Sequence, residues 1–135
     1  MLVWAGLALG GNIIAAPAKF QVDSLTQSQL LLVGRAQFAW LGSAELIFAS
    51  ATILLCGFAK GRLRMLGLIA VVLFGLQRFG LQPMLEARTD LILEGAPAPE
   101  STLHLVFIVL EIAKAALLAL GGAIQVTRGS GNTSG

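Results

Sequence analysis

Charge is scarce in this chain. Of its 135 residues only 12% are Asp, Glu, Lys or Arg, about half the share found in an average soluble domain. Nine basic and seven acidic residues leave a formal charge of +2, too small and too scattered for a nucleic-acid surface. Tyrosine is absent, and cysteine and histidine occur once each, as Cys56 and His104. A lone cysteine excludes an internal disulfide, and in its apolar run it reads as a small packing hydrophobe. There is no Cys-x-x-Cys, no paired histidine and no nucleotide loop. Haem or a metal within one subunit would need ligands beyond His104. No nucleophile–base pair stands at a recognisable spacing. We therefore expect no metal, no cofactor and no enzymatic activity.

What the chain has instead is apolar residue, 56% of it, in long runs rather than in alternation. That pattern belongs to membrane proteins, and the length allows one domain. A spanning helix needs about 20 predominantly apolar residues. Four segments approach or meet this, at 1–18, 30–59, 64–83 and 101–127. The expected fold is all-α, an integral membrane bundle of four transmembrane helices, with the lipid bilayer as its partner. The first segment has a rival reading. Ala16-Pro17-Ala18 resembles the small-residue site that follows a signal peptide, but no Lys or Arg precedes the apolar run.

The basic residues suggest a direction. With four spans, the turn Lys60-Gly61-Arg62-Leu63-Arg64 shares a side with both termini and Arg128. The opposite side carries Lys19 and Arg88 but also Asp23, Glu86, Asp90, Glu94 and Glu100. The excess of Lys and Arg places the basic turn and both termini in the cytoplasm. On the outer side, Ser24 and Gln27 fit a capping box that would start the second helix. After Pro83, residues 84–94 keep helical spacing, as an interfacial helix or an outward extension of the third span. Gly95 is the expected stop. Ala96-Pro97-Ala98-Pro99 favours extended backbone, and Ser101 is placed to cap the fourth span. Residues 129–135 read as a flexible tail.

Against this apolar background the charges inside the spans are the candidate site. Glu45, Glu111 and Lys114 lie where lipid excludes charge, and such side chains normally face a bundle interior. At 100° per residue, Glu111 lies about 20° and Lys114 about 80° around the helix from His104, so all three share a face. Glu111 and Lys114 are spaced to pair. The pair is either a neutralised register device or part of a working polar site. Glu45 has no basic residue within a turn of it. It needs a partner from another helix, a proton, or water, and it suits a proton-linked carboxylate or a structural buried hydrogen bond. Lys114 is at a compatible depth, and a Glu45–Lys114–Glu111 cluster would favour the structural role. Arg35 and Arg78 sit near the outer interface, where long side chains snorkel. The alternative is an outer mouth of Arg35, Arg78 and His104, with Gln77 and Gln82, that takes an anionic group. Gly6 and Gly10 form a Gly-x-x-x-Gly that would let the first span approach a neighbour closely.

Several strings stand out together: Gly11-Asn12, Ala16-Pro17-Ala18-Lys19-Phe20-Gln21, Val33-Gly34-Arg35 with Phe38, Gln77-Arg78, Pro83-Met84-Leu85-Glu86-Ala87-Arg88, and His104 with Leu110-Glu111-Ile112-Ala113-Lys114. They resemble a group of uncharacterised bacterial four-span inner-membrane proteins. More distantly they are similar to the domain-of-unknown-function proteins related to transmembrane protein 205. The resemblance runs from the first span through the fourth. It implies the architecture and an inner-membrane location, and carries no reaction. The distant relatives' link to solute or metal-drug handling implies transport.

The expected function is that of a non-enzymatic multi-pass protein with an intramembrane polar site, moving or sensing a small charged solute, with Glu45 as the proton-linked group. The competing expectation is an accessory or assembly subunit of a respiratory or photosynthetic complex. In that case the charged faces and Gly6/Gly10 dock on other membrane subunits, or on a second copy of the chain.

Overall fold

The computed structural model describes residues 1–18, 21, 23–97 and 102–130, with the side chains of 128–130 left aside. Among these residues there are four helices and no strand: α1 (Leu2–Ala18), α2 (Gln27–Cys56), α3 (Arg62–Leu93) and α4 (Leu103–Ser130). The last three are long and apolar enough to cross a membrane. At 1.5 Å per residue α1 is about 25 Å long, near the lower limit for a span.

Local chemistry sets the ends. Thr26 accepts from the backbone of Gln29, and the Gln29 side chain accepts from the Thr26 backbone, a complete capping box at the start of α2. The box thus falls two residues later than the Ser24–Gln27 pair, because the same Ser/Thr-x-x-Gln pattern occurs twice. Gly61 turns the chain into α3 with φ of 60°, a backbone conformation that suits glycine. At the far end of α3, Gly95 N–H bonds to Ile92 C=O and Ala96 N–H to Leu91 C=O, with Gly95 at φ 74°. This is the glycine stop expected from the sequence.

Residues 84–94 do not form a separate interfacial helix. Pro83 falls in the first turn of the segment Gln82–Leu93, which continues α3 without a break. Its backbone N–H is lost at a site where a wider turn, Leu76–Leu81, has already changed the bonding pattern. A second wide, π-helical turn occupies Leu9–Ala15 of α1. The helix α4 runs through Ser130, past the start of the expected tail. Ser101 and residues 131–135 lie outside the described residues.

Helix α4 packs on α1 and α3, and α3 also packs on α2. Trp4, Ala5, Ala49, Ala70, Phe74 and Leu118 form the core, with Trp4 and Phe74 edge to face at 6.1 Å. Small residues set the spacing. A Cβ on Gly11 would overlap the Leu41 side chain, and one on Gly122 would overlap Leu2. A Cβ at Gly6 or Gly10 meets nothing within 4 Å among the described residues, so of the two neighbours the Gly-x-x-x-Gly left open, one within this chain is not seen there.

Most large apolar side chains point outward. Trp40 is 80% exposed and Phe58 87%. Of the most apolar windows of α2, α3 and α4, only 22%, 33% and 28% is buried. A surface this apolar suits hydrocarbon rather than water.

Candidate functional site

Every helix sends a polar group to one point in the interior. Lys114 of α4 is at its centre, with Nζ 2.6 Å from Glu45 Oε1 and 3.0 Å from Glu111 Oε2. Lys114 and Glu111 are fully buried and Glu45 nearly so. From α1, Trp4 Nε1 donates to Glu45 Oε1 at 3.0 Å. From α3, Gln77 Nε2 donates to Glu111 Oε2 at 2.8 Å and to the Phe107 carbonyl at 3.2 Å. The Lys114 ammonium also lies 5.6 Å from the centre of the Phe74 ring, within cation–π range. Glu45 and Glu111 are thus brought together by one lysine, and Lys114 is the partner Glu45 lacks on its own helix.

The charges do not balance within this group. Two carboxylates and one ammonium sum to −1 when all are ionised, and a buried net charge is costly. Two acceptors are also left over. Glu111 Oε1 and Gln77 Oε1 are buried without a hydrogen-bond partner, and buried polar atoms without one call for an explanation. Arg78, which lines the small cavity with Glu45, brings the sum to zero when it is counted, and the two acceptors would take a further donor.

Two cavities with shared walls lie between this point and one end of the bundle. Glu45, Gln77 and Arg78 line a small cavity of about 10 Å³, roughly the space of one water. Asn12, Phe38, Gln82 and Phe107 line this cavity and also a much larger one of about 510 Å³. The larger cavity lies where α1 ends, α2 begins, α3 ends and α4 begins. The two wide turns border the cavities: Asn12 belongs to the first, and Gln77 and Arg78 to the second. Gln37 Nε2 donates to Gly11 O in the first turn at 2.6 Å, tying it to α2.

The expected outer mouth is split by the fold. Arg35 and His104 line the large cavity, while Arg78 lines the small one beside Glu45. The Arg78 stem runs over Gly42, where a Cβ would sit 3.4 Å from Arg78 Cδ. Arg78 has no ion pair among the described residues. Arg35 pairs with Asp90 and donates to the Glu86 carbonyl at 3.4 Å. Arg88 joins the large cavity, where Gln82 Nε2 holds the Glu86 carboxylate at 2.9 Å. Cys56 is at the other end of the bundle, buried, with Sγ 3.8 Å from Arg64 O. Among the described residues no three His, Cys, Asp or Glu side chains group as a metal site requires.

Sequence reasoning missed Trp4, Arg88 and Asp90. For Trp4 a signal existed, since a buried indole N–H needs an acceptor. Arg88 and Asp90 read as ordinary surface charges of a helix end. Comparison with protein-family models, curated proteins and solved structures returns no match.

Proposed function

We propose that this chain is a non-enzymatic, four-span protein of the inner membrane whose buried cluster takes up a small positively charged species, a proton or a small cation. The species reaches the cluster through the cavities at the loop end of the bundle. One observation carries the reading. Glu45 belongs both to the charge cluster and to the wall of the small cavity that adjoins the large one. The two orphaned acceptors, Glu111 Oε1 and Gln77 Oε1, support it. Arg78, beside Glu45 in the small cavity, would repel an arriving cation and so act as the control on access.

Four spans require α1 to cross as well. Its buried Trp4, Ala5 and Ala8 support that reading, since a helix held inside the bundle tolerates a short apolar length. The basic turn between α2 and α3 and both termini are then cytoplasmic, and the cavities open outward.

The cluster contains its own reporter. Trp4 and Trp40 are the only tryptophans, so Trp40→Phe leaves Trp4, bonded to Glu45, as the sole indole. Its emission is expected to shift on titration from mildly acidic to mildly alkaline pH or on addition of sodium or potassium salts. Glu45→Gln abolishes the shift. Emission that stays flat through both titrations, in protein that still unfolds cooperatively, sinks the reading.

The accessory-subunit reading has one observation in its favour: a Cβ at Gly6 or Gly10 of α1 would meet nothing among the described residues, as on a face reserved for another helix. Stoichiometric co-purification with a large complex from native membranes in mild detergent would select it.

A further inference from the structure

The large cavity is a feature of its own, distinct from the buried cluster. Its volume of about 510 Å³ lies within the range of small-molecule sites, which are mostly apolar with a few placed polar groups. Leu31, Phe38, Ile92 and Ile108 supply apolar wall from three helices. Three residues of the lining each carry a buried polar atom without a partner: Arg35 Nε, Arg88 Nε and Asn12 Oδ1.

The charge balance is specific. Arg35 is paired with Asp90, while the Glu86 carboxylate, which also lines the cavity, accepts from Gln82 and keeps its charge without pairing with Arg88. Among the described residues, no acid pairs with Arg88. A guanidinium bordering an apolar cavity without a counter-ion lacks the carboxylate or phosphate that its planar donors fit. A soluble inorganic anion would satisfy Arg88 but leave the apolar wall uncovered. An apolar molecule would cover the wall but leave the guanidinium unpaired. Both demands are met by one molecule with an acidic head and an apolar tail.

We infer that the loop-end cavity is a binding site for an amphiphile with a carboxylate or phosphate head and an apolar tail, the head held by Arg88 and the tail lying on Leu31, Phe38, Ile92 and Ile108. This inference does not rest on the proton or cation reading, although the amphiphile would occupy the cavity through which that reading routes the ion. The same chemistry comes from a free fatty acid or from an anionic phospholipid of the bilayer.

The test uses the full chain in non-ionic detergent, titrated with dodecanoate, dodecyl phosphate and dodecanol. The two acids are expected to bind at least about tenfold tighter than the alcohol. Arg88→Gln erases that preference, Arg88→Lys retains part of it, and Ile108→Trp, which fills the tail space, weakens all three. Equal affinity for acid and alcohol, or a preference that survives Arg88→Gln, overturns the proposal. Native mass spectrometry from nanodiscs of mixed phosphatidylglycerol and phosphatidylcholine separates the sources. Retained phosphatidylglycerol that is lost in Arg88→Gln supports the proposal with a bilayer lipid as occupant. Bound dodecanoate without retained phospholipid supports it with a free amphiphile. Failure to hold either one overturns it.

Discussion

Lys114 is the residue on which the interior depends. It is the only cation bonded to either buried carboxylate among the described residues. Replacing it with an apolar side chain would leave two buried acids facing each other, with Gln77 and Trp4 as their remaining donors. Breaking a buried ion pair by removing one partner costs about 3–5 kcal/mol. Lys114→Met is therefore expected to lower stability by that order, measured by denaturant unfolding in detergent. Removing all the charges together is a different experiment, because replacing a whole buried network with apolar residues is often neutral or stabilising. The triple change Glu45→Leu, Glu111→Leu, Lys114→Met is expected to recover most of the loss while abolishing the Trp4 response. If the triple variant is as unstable as Lys114→Met alone, the network contributes to folding beyond its own charge balance.

Among the elements, α1 and α3 differ most from simple spans. Each contains a wide turn beside a cavity, a local geometry that recurs at functional sites. Glycines decide how closely the elements approach. Gly122 of α4 lies under Leu2 of α1, so Gly122→Ala must push the start of α1 away. Overpacking of this kind costs about 1–3 kcal/mol. A Cβ at Gly6 would meet nothing among the described residues, and in a helix alanine is favoured over glycine by up to about 1 kcal/mol. Gly6→Ala is thus expected to be neutral or stabilising, and Gly122→Ala destabilising. Thermal unfolding of the two purified variants checks the contrast. The opposite order would mean that the close contact of α1 lies at its Gly6 face rather than on α4.

At the scale of the whole molecule the arrangement is inside-out relative to a water-soluble bundle. Polar groups converge in the interior, while Trp40, Phe58 and other large apolar side chains cover the outside. Four spans put both ends of the chain on one side of a membrane, whereas three put them on opposite sides. Reporter fusions active in only one compartment, placed at Met1 and after Gly135, distinguish these. We expect both reporters on the cytoplasmic side, with the Lys60–Arg64 turn. Opposite sides would remove α1 from the spans and with it the proposed four-span topology.

The sequence by itself determined the helical class and the positions of the three long apolar helices, because runs of apolar residues broken by short polar turns leave the backbone few alternatives. It also determined that Glu111 and Lys114 pair, since their spacing along one helix requires nothing from the rest of the fold. The stop at Gly95 was legible for the same local reason. Only the tertiary structure decided the rest. The joining of Lys114 to Glu45 depends on which helices touch, and so does the donation from Trp4. The separation of Arg78 from Arg35, and the pairing of Arg35 with Asp90 55 residues away, depend on the wide turns and on the unbroken length of α3. Contacts across the bundle are set by helix rotation and depth, and a one-dimensional pattern of apolar residues constrains those quantities weakly.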